Sequence, residues 1–181
     1  GLTAKENAFG ALCALLRYLY RAQRSGAKRF VKLTVHQGDE YMALSLTTRR
    51  NLELTETMRN GDKKGSLLWV LDKTSTSMGR RKLRQTVEQP LTDTAKIIRR
   101  HDAVEALINN SSALYDIKSD LERIYDLERL MTKVVYGSAN GKDARAIAST
   151  IKVIPEIKNL LYTVNVKELS EIRDYMDGLE D

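Results

Sequence analysis

Apolar positions along this chain fall mostly three and four residues apart, the spacing that gathers them on one face of a helix. Ala8, Leu12, Leu15, Leu16 and Leu19 form the first such stripe, and Thr3 with Glu6 supplies a capping-box pattern ahead of it. A helix from about Thr3 to Arg24 is expected, stopped by Ser25-Gly26. The period then changes to two. Phe30–Val35 and Tyr41–Leu46 read as short strands around His36-Gln-Gly-Asp-Glu40, a small β-hairpin.

From Ser45 onward the helical period returns. One helix is expected from about Thr48 to Met58, and another over Ser66–Leu71 with Leu67, Leu68, Val70 and Leu71 crowded around Trp69. A third covers Ser77–Gln89, ahead of Pro90, and Asp93 caps a longer one with Ile97, Val104, Leu107 and Ile108 inward. Leu121, Ile124, Leu127, Met131 and Val134 line up as one stripe closed by Gly137. Ile147, Ile151 and Ile154 precede Pro155, which suits the first turn of a further helix. Leu169, Ile172, Met176 and Leu179 make the last stripe. The expected fold class is therefore mainly α, a helical bundle with a small N-terminal β-hairpin.

Composition narrows the classes. Apolar residues at 42% suffice for a packed core, and two prolines in 181 residues favour long helices. No apolar run approaches the roughly 20 residues that cross a bilayer, so no membrane partner and a cytoplasmic location are expected. The chain starts Gly1-Leu2 without a methionine, which suggests an interior piece of a longer protein. The lone Cys13, in step with Phe9, Leu16 and Tyr20, reads as a small buried core residue. One cysteine and the distant His36 and His101 cannot make a zinc site. Residues 1–84 hold 17 Lys and Arg against 7 Asp and Glu, whereas residues 85–181 hold 13 against 17. That asymmetry points one half towards a polyanion, or reflects balance by parts not present here.

Candidate chemistry is thin. Gly61-Asp-Lys-Lys-Gly65 has the wrong spacing for a phosphate loop and follows no buried strand, so a basic turn is the reading. His101 and Asp102 are neighbours on a helix and point apart; His101 is expected at the edge of the core. The hydroxyl-rich Asp72-Lys-Thr-Ser-Thr-Ser77 offers helix stop-and-start chemistry and no base to activate a serine. Asp116, Asp120, Glu122, Asp126 and Glu128 lack the glycine turn of a calcium loop and read as a solvated face. Arg80, Arg81, Lys82 and Arg84 form a basic cluster, with Arg49-Arg50 a second one; such residues can neutralise phosphates in salt-sensitive contacts, although a solvated or salt-bridged surface is the more common meaning of such clusters. Physics alone stops at a helical module with an affinity for polyanions.

A series of motifs goes further. Met42-Ala-Leu-Ser-Leu-Thr-Thr-Arg-Arg-Asn-Leu-Glu-Leu54, Gly65-Ser-Leu-Leu-Trp-Val-Leu-Asp72 and Thr76-Ser-Met-Gly-Arg-Arg-Lys-Leu83 stand in that order. Gln89-Pro-Leu91, Arg100-His-Asp-Ala-Val104, Asp126-Leu-Glu-Arg-Leu130 and Gly137-Ser-Ala139 follow. Together they resemble the start of the core, or lever, domain of MutS-type DNA mismatch-repair proteins. Ser45 stands where that family usually has Asp, and both suit a helix N-cap. Leu52 is expected inward, with Arg49, Arg50, Asn51 and Glu53 as a structural motif reaching neighbouring helices, and Gly79 is expected to permit close helix approach.

The resemblance implies that residues 1–29 end a connector domain and that residues 30–181 open the core, with lever helices after about residue 140. It implies a parent that binds double-stranded DNA as a dimer, answers to a MutL-type partner, and holds ATP and magnesium in a separate ATPase domain. No cofactor and no catalytic residue is expected in this segment, because the family's Phe-x-Glu mismatch reader, its clamp and its ATPase motifs have no counterpart here. Two alternatives stay open: a MutS-related paralogue acting in recombination or ribosome rescue, and a freestanding helical adaptor for a protein partner.

Overall fold

The computed structural model describes residues 6–22 and 40–177. The chain divides into two compact units, Gly1–Gly38 and Asp39–Asp181. In the first, α1 spans Glu6–Ala22. The expected cap at Thr3 and stop at Ser25-Gly26 lie outside the described residues. Leu12 and Leu19 are half-buried, but Leu15, Leu16 and Cys13 are exposed, so the buried-core reading of Cys13 is corrected.

In the second unit, α2 (Leu46–Asn51) begins at Ser45, whose hydroxyl accepts the Thr48 N–H at 3.0 Å. It ends seven residues earlier than the pattern suggests. Glu53 takes φ +48, while its N–H and that of Leu54 return to the carbonyls of Arg50 and Arg49. This is a Schellman closure with glutamate at the left-handed position usually given to glycine. The turn exposes Leu52 and buries Leu54, reversing the expected orientation.

Helix α3 (Leu67–Leu71) follows the Gly61–Gly65 turn, and α4 covers Ser77–Glu88. Thr76 caps α4 by accepting the Gly79 N–H at 2.9 Å. A Cβ on Gly79 would sit 2.9 Å from that same hydroxyl oxygen. The glycine therefore makes room for its own cap, rather than for a neighbouring helix.

Of the expected hairpin, the first run and its turn as far as residue 39 lie outside the described residues. Among the described residues the second run forms one antiparallel bridge, Tyr41 with Leu91, before Leu46 enters α2.

The packed body is α5 (Thr94–Asn109), α6 (Ser111–Glu122), α7 (Leu127–Val135), α8 (Gly141–Tyr162) and α9 (Lys167–Tyr175). Helix α8 touches α6, α7 and α9, and α5 closes the ring against α6 and α9. Ala103, Ala113, Val153, Ile157, Leu161, Val164 and Leu169 form the buried cluster. Ala103 is the buried residue of α5, whereas Val104 and Ile108 are exposed. Ala106 and Leu107 pack against the same cluster, so the inward face of α5 runs through Ala103, Ala106 and Leu107. His101 is exposed as well, away from the core edge expected for it.

The single stripe from Leu121 to Val134 is in fact two helices. The chain breaks at residues 123–126, where Asp126 caps α7 and the Tyr125 N–H finds the Thr150 hydroxyl at 3.1 Å. Gly137, at φ +67, closes α7: its N–H reaches the Val134 carbonyl while Ser138 reaches Lys133. Pro155 starts no helix but lies inside α8, which begins instead at the Asn140–Asp143 capping box. An internal proline costs about 3 kcal/mol. Burial of Val153, Ile157 and Leu161, at roughly 1.5–3 kcal/mol each, outweighs it. Among the described residues no helix is long and apolar enough to cross a membrane.

Candidate functional site

Three of the motifs singled out in the sequence, Met42–Leu54, Gly65–Asp72 and Thr76–Leu83, meet with Asp126 in one region built by α2, α3, α4 and the start of α7. The turn after α2 is its base. The carbonyls of Glu53 and Leu54 accept the N–H groups of Leu67 and Leu68, at 3.0 and 2.9 Å. The Ser66 hydroxyl accepts the Trp69 N–H at 3.2 Å and donates to the Lys63 carbonyl at 2.8 Å. The three leading N–H groups of α3, which a helix cannot satisfy internally, thus all find oxygen. Ser66 is buried as a result. The Glu53 carboxylate holds the strained turn by accepting the Met58 N–H at 2.6 Å.

Arg49 donates from Nε to the Leu44 carbonyl at 3.2 Å and lies 4.0 Å from the Glu88 carboxylate on α4. Glu88 also takes Arg84 at 2.8 Å, so one carboxylate ties α2 to α4. Arg50 and Asn51 are exposed. Of the four residues expected as one motif, Arg49 and Glu53 make the local contacts.

Each arginine of the basic cluster carries a carboxylate. Arg80 meets Asp72 at 2.8 Å. Arg81 forks onto both oxygens of Asp126, at 2.8 and 3.0 Å, and reaches Glu128 at 2.5 Å. The Asp126 hydrogen bond raises the Arg81 pKa beyond its ordinary value, and Arg81 in turn holds the Asp126 carboxyl below 3.8. Asp72 is lowered too, first by the hydroxyl and N–H of Thr74 and then by Arg80. Asp126 and Glu128 were read as part of a solvated acidic face; the structure gives them a cationic partner 45 and 47 residues away. Asp126 and Arg81 each lie in a motif quoted above, but nothing in their spacing says that they meet.

Arg80, Arg81, Arg84 and Asp72 border a cleft of about 760 Å³. Leu68, Trp69 and Val70 line it from α3, and Lys63, Lys73 and Arg80 bring positive charge to it. Trp69 is 51% exposed, not enclosed by its aliphatic neighbours as its sequence context suggests.

Residues 47–180 match the family model for MutS domain III. The chain is 45% identical to the DNA mismatch repair protein MutS of Lachnoclostridium phytofermentans, in an alignment that covers all of this chain and 20% of that protein. It is 47% identical to the MutS proteins of Ruminiclostridium cellulolyticum and Acetivibrio thermocellus, over 96% and 97% of this chain and 20% and 21% of theirs. The chain thus spans about a fifth of the length of these relatives. With residues 47–180 matched by the model for MutS domain III and these relatives aligned over nearly the whole chain, the chain belongs to the MutS family.

Proposed function

We propose that this chain is the lever segment of a DNA mismatch-repair protein, coupling an ATPase elsewhere in the parent to the grip on DNA. Residues 1–29 would end the connector domain and residues 30–181 open the core. The segment itself performs no chemical step in this reading. ATP and magnesium bind in the ATPase domain, and double-stranded DNA, a second subunit and a MutL-type protein are partners of the whole parent.

The observation that carries the reading is the Arg81 fork to Asp126 and Glu128. Coupling needs packed helices that move as a body between discrete arrangements. Arg81 joins α4 to the start of α7, and α7 packs on α8, so a displacement of α4 is handed to the buried cluster. Direct attraction of Arg80, Arg81 and Arg84 to DNA phosphates is proposed to be weak, since each already has a carboxylate beside it. It should fall steeply with salt and ignore a mismatch, because phosphate contacts carry no sequence information.

The test is a chimera in which this chain replaces the aligned segment of the Lachnoclostridium phytofermentans MutS. It should bind a G·T duplex and release it on addition of ATP. Arg81→Glu should leave mismatch binding intact and slow the ATP-driven release. Reversing the partners as well, with Asp126→Arg and Glu128→Arg, should restore the release rate. Unchanged release in Arg81→Glu would remove the fork from the coupling path.

A further inference from the structure

The sequence puts its basic cluster on α4, where the structure gives Arg80, Arg81 and Arg84 a carboxylate each. The first half of α8 shows the reverse. Lys142, Arg145 and Lys152 are exposed and pair with no carboxylate among the described residues. Arg145 and Lys152 stand two turns apart on the side of α8 opposite the buried Asp143, Thr150 and Leu161, and Lys142 stands one turn before Arg145. The nearby carboxylates are already matched. Asp143, the one acidic residue of residues 141–152, is buried and held by Lys133 at 2.7 Å, and Glu156 is held by Arg123 at 2.7 Å. Between the three cations the exposed side chains are small: Ala144, Ala148 and Ser149.

We propose that this face of α8 is a contact for the phosphate backbone of duplex DNA. The choice of occupant rests on the reading of the parent as a DNA mismatch-repair protein. Charge complementarity carries it: a lysine or arginine with no carboxylate of its own can neutralise a phosphate and release a counterion, which a paired one does only by breaking its pair. Lys142 to Lys152 covers about 15 Å of helix at ~1.5 Å per residue, the length of roughly four or five base pairs at about 3.4 Å each. The small side chains between them let a phosphate backbone approach the helix. An acidic protein surface fits less well. Protein docking sites centre on aromatic and large apolar side chains, and this face has none. Two or three phosphate contacts give weak binding that is blind to sequence.

The probe is a short, fully paired, fluorescein-labelled duplex titrated with the 181-residue chain and followed by anisotropy at several salt concentrations. Lys142→Ala, Arg145→Ala and Lys152→Ala together should weaken binding at least tenfold at low salt. They should also flatten the plot of log Kd against log salt by about 2–3, close to ~0.9 for each lost phosphate contact. Removing three exposed lysines scattered over α4, α6 and α9, with Lys82→Ala, Lys118→Ala and Lys167→Ala, leaves the same net charge and should weaken binding less than threefold. Lys142→Arg with Lys152→Arg should keep the wild-type affinity, and poly-glutamate of equal total charge should not displace the duplex. The proposal is overturned if the scattered variant loses as much as the α8 variant, if the wild-type chain shows no salt-dependent binding, or if poly-glutamate displaces the duplex. A loss of helix content in the α8 variant by circular dichroism would overturn it too, by showing those side chains to be structural. None of these results bears on the ATP-driven release of the chimera, which tests the lever reading.

Discussion

Residues 40–91 and residues 94–177 belong to one compact unit but are held by different forces. The later stretch has a contiguous buried cluster, drawn from all its helices except α7 and from the turn before α9. The earlier stretch buries only Leu54 and Ser66, and leaves Leu67, Trp69, Val70 and Leu71 exposed on a five-residue helix. Its shape is kept by caps, a left-handed turn and ion pairs. A short helix has too few residues to nucleate on its own, so oxygen partners for its first turn decide whether it forms. A long helix such as α8 draws its stability from packing. The contrast teaches that one domain here contains a rigid body and a polar-framed attachment, joined by the Arg81 fork and by the contacts of Glu40 with Thr92 and Lys96.

The largest effect should come from the cluster. Ile157→Ala would open a cavity beside Val153, which is 1% exposed, and should cost about 2–5 kcal/mol in urea unfolding. A cost below 1 kcal/mol would mean that the later stretch is not the rigid body. Next, Thr150→Val keeps the shape but removes the hydroxyl that accepts the Tyr125 N–H and donates to the Ala146 carbonyl. A buried N–H left alone costs about 1–3 kcal/mol, and the loss should be read in the same unfolding curve.

Ser66→Ala attacks the other region. It removes the cap of α3 and should cost about 1 kcal/mol. Here location matters more than size: amide exchange should quicken in α3 and the preceding turn and stay unchanged in α8. Equal quickening in both would erase the distinction between the two regions.

The smallest effect is on pH. Asp72, Asp126 and Asp143 all have carboxyl groups held below 3.8, Asp143 first by the Lys133 ammonium and then by the Asn140 N–H. A lowered value means that the folded state takes up the proton less readily than the unfolded chain. These pairs therefore stabilise fully above the unfolded value and lose their contribution as the pH falls through the folded values. Melting temperature should drop on acidification below about pH 4, and Asp126→Asn should flatten part of that drop. An unchanged slope in that variant would show that the fork contributes nothing to stability.

How much of this was legible in the sequence depends on the range of the interaction. Caps are local: a hydroxyl or carboxylate can satisfy an orphan N–H two or three residues on, so Ser45, Ser66 and Asp93 marked helix starts correctly. Gly137 likewise marked an end, because only its own φ is at issue. The family was readable for a related reason, since its motifs are strings of such local signals and their order survives without a structure.

Burial could not be read in this way. Periodicity names a face but not the partner that covers it, so Val104 and Ile108 were assigned inward while Ala103 holds that place. Pro155 reads locally as the first turn of a new helix, yet α8 runs through it because α6, α7 and α9 pack along the helix. Asp126 and Arg81 lie 45 residues apart, and nothing local distinguishes a solvated carboxylate from one that anchors a guanidinium. The sequence by itself determined several helix starts, that helices dominate, and which family they belong to. Only the tertiary structure decided which faces are buried, which charges are paired, and that Trp69 stands open, because those depend on neighbours distant in sequence.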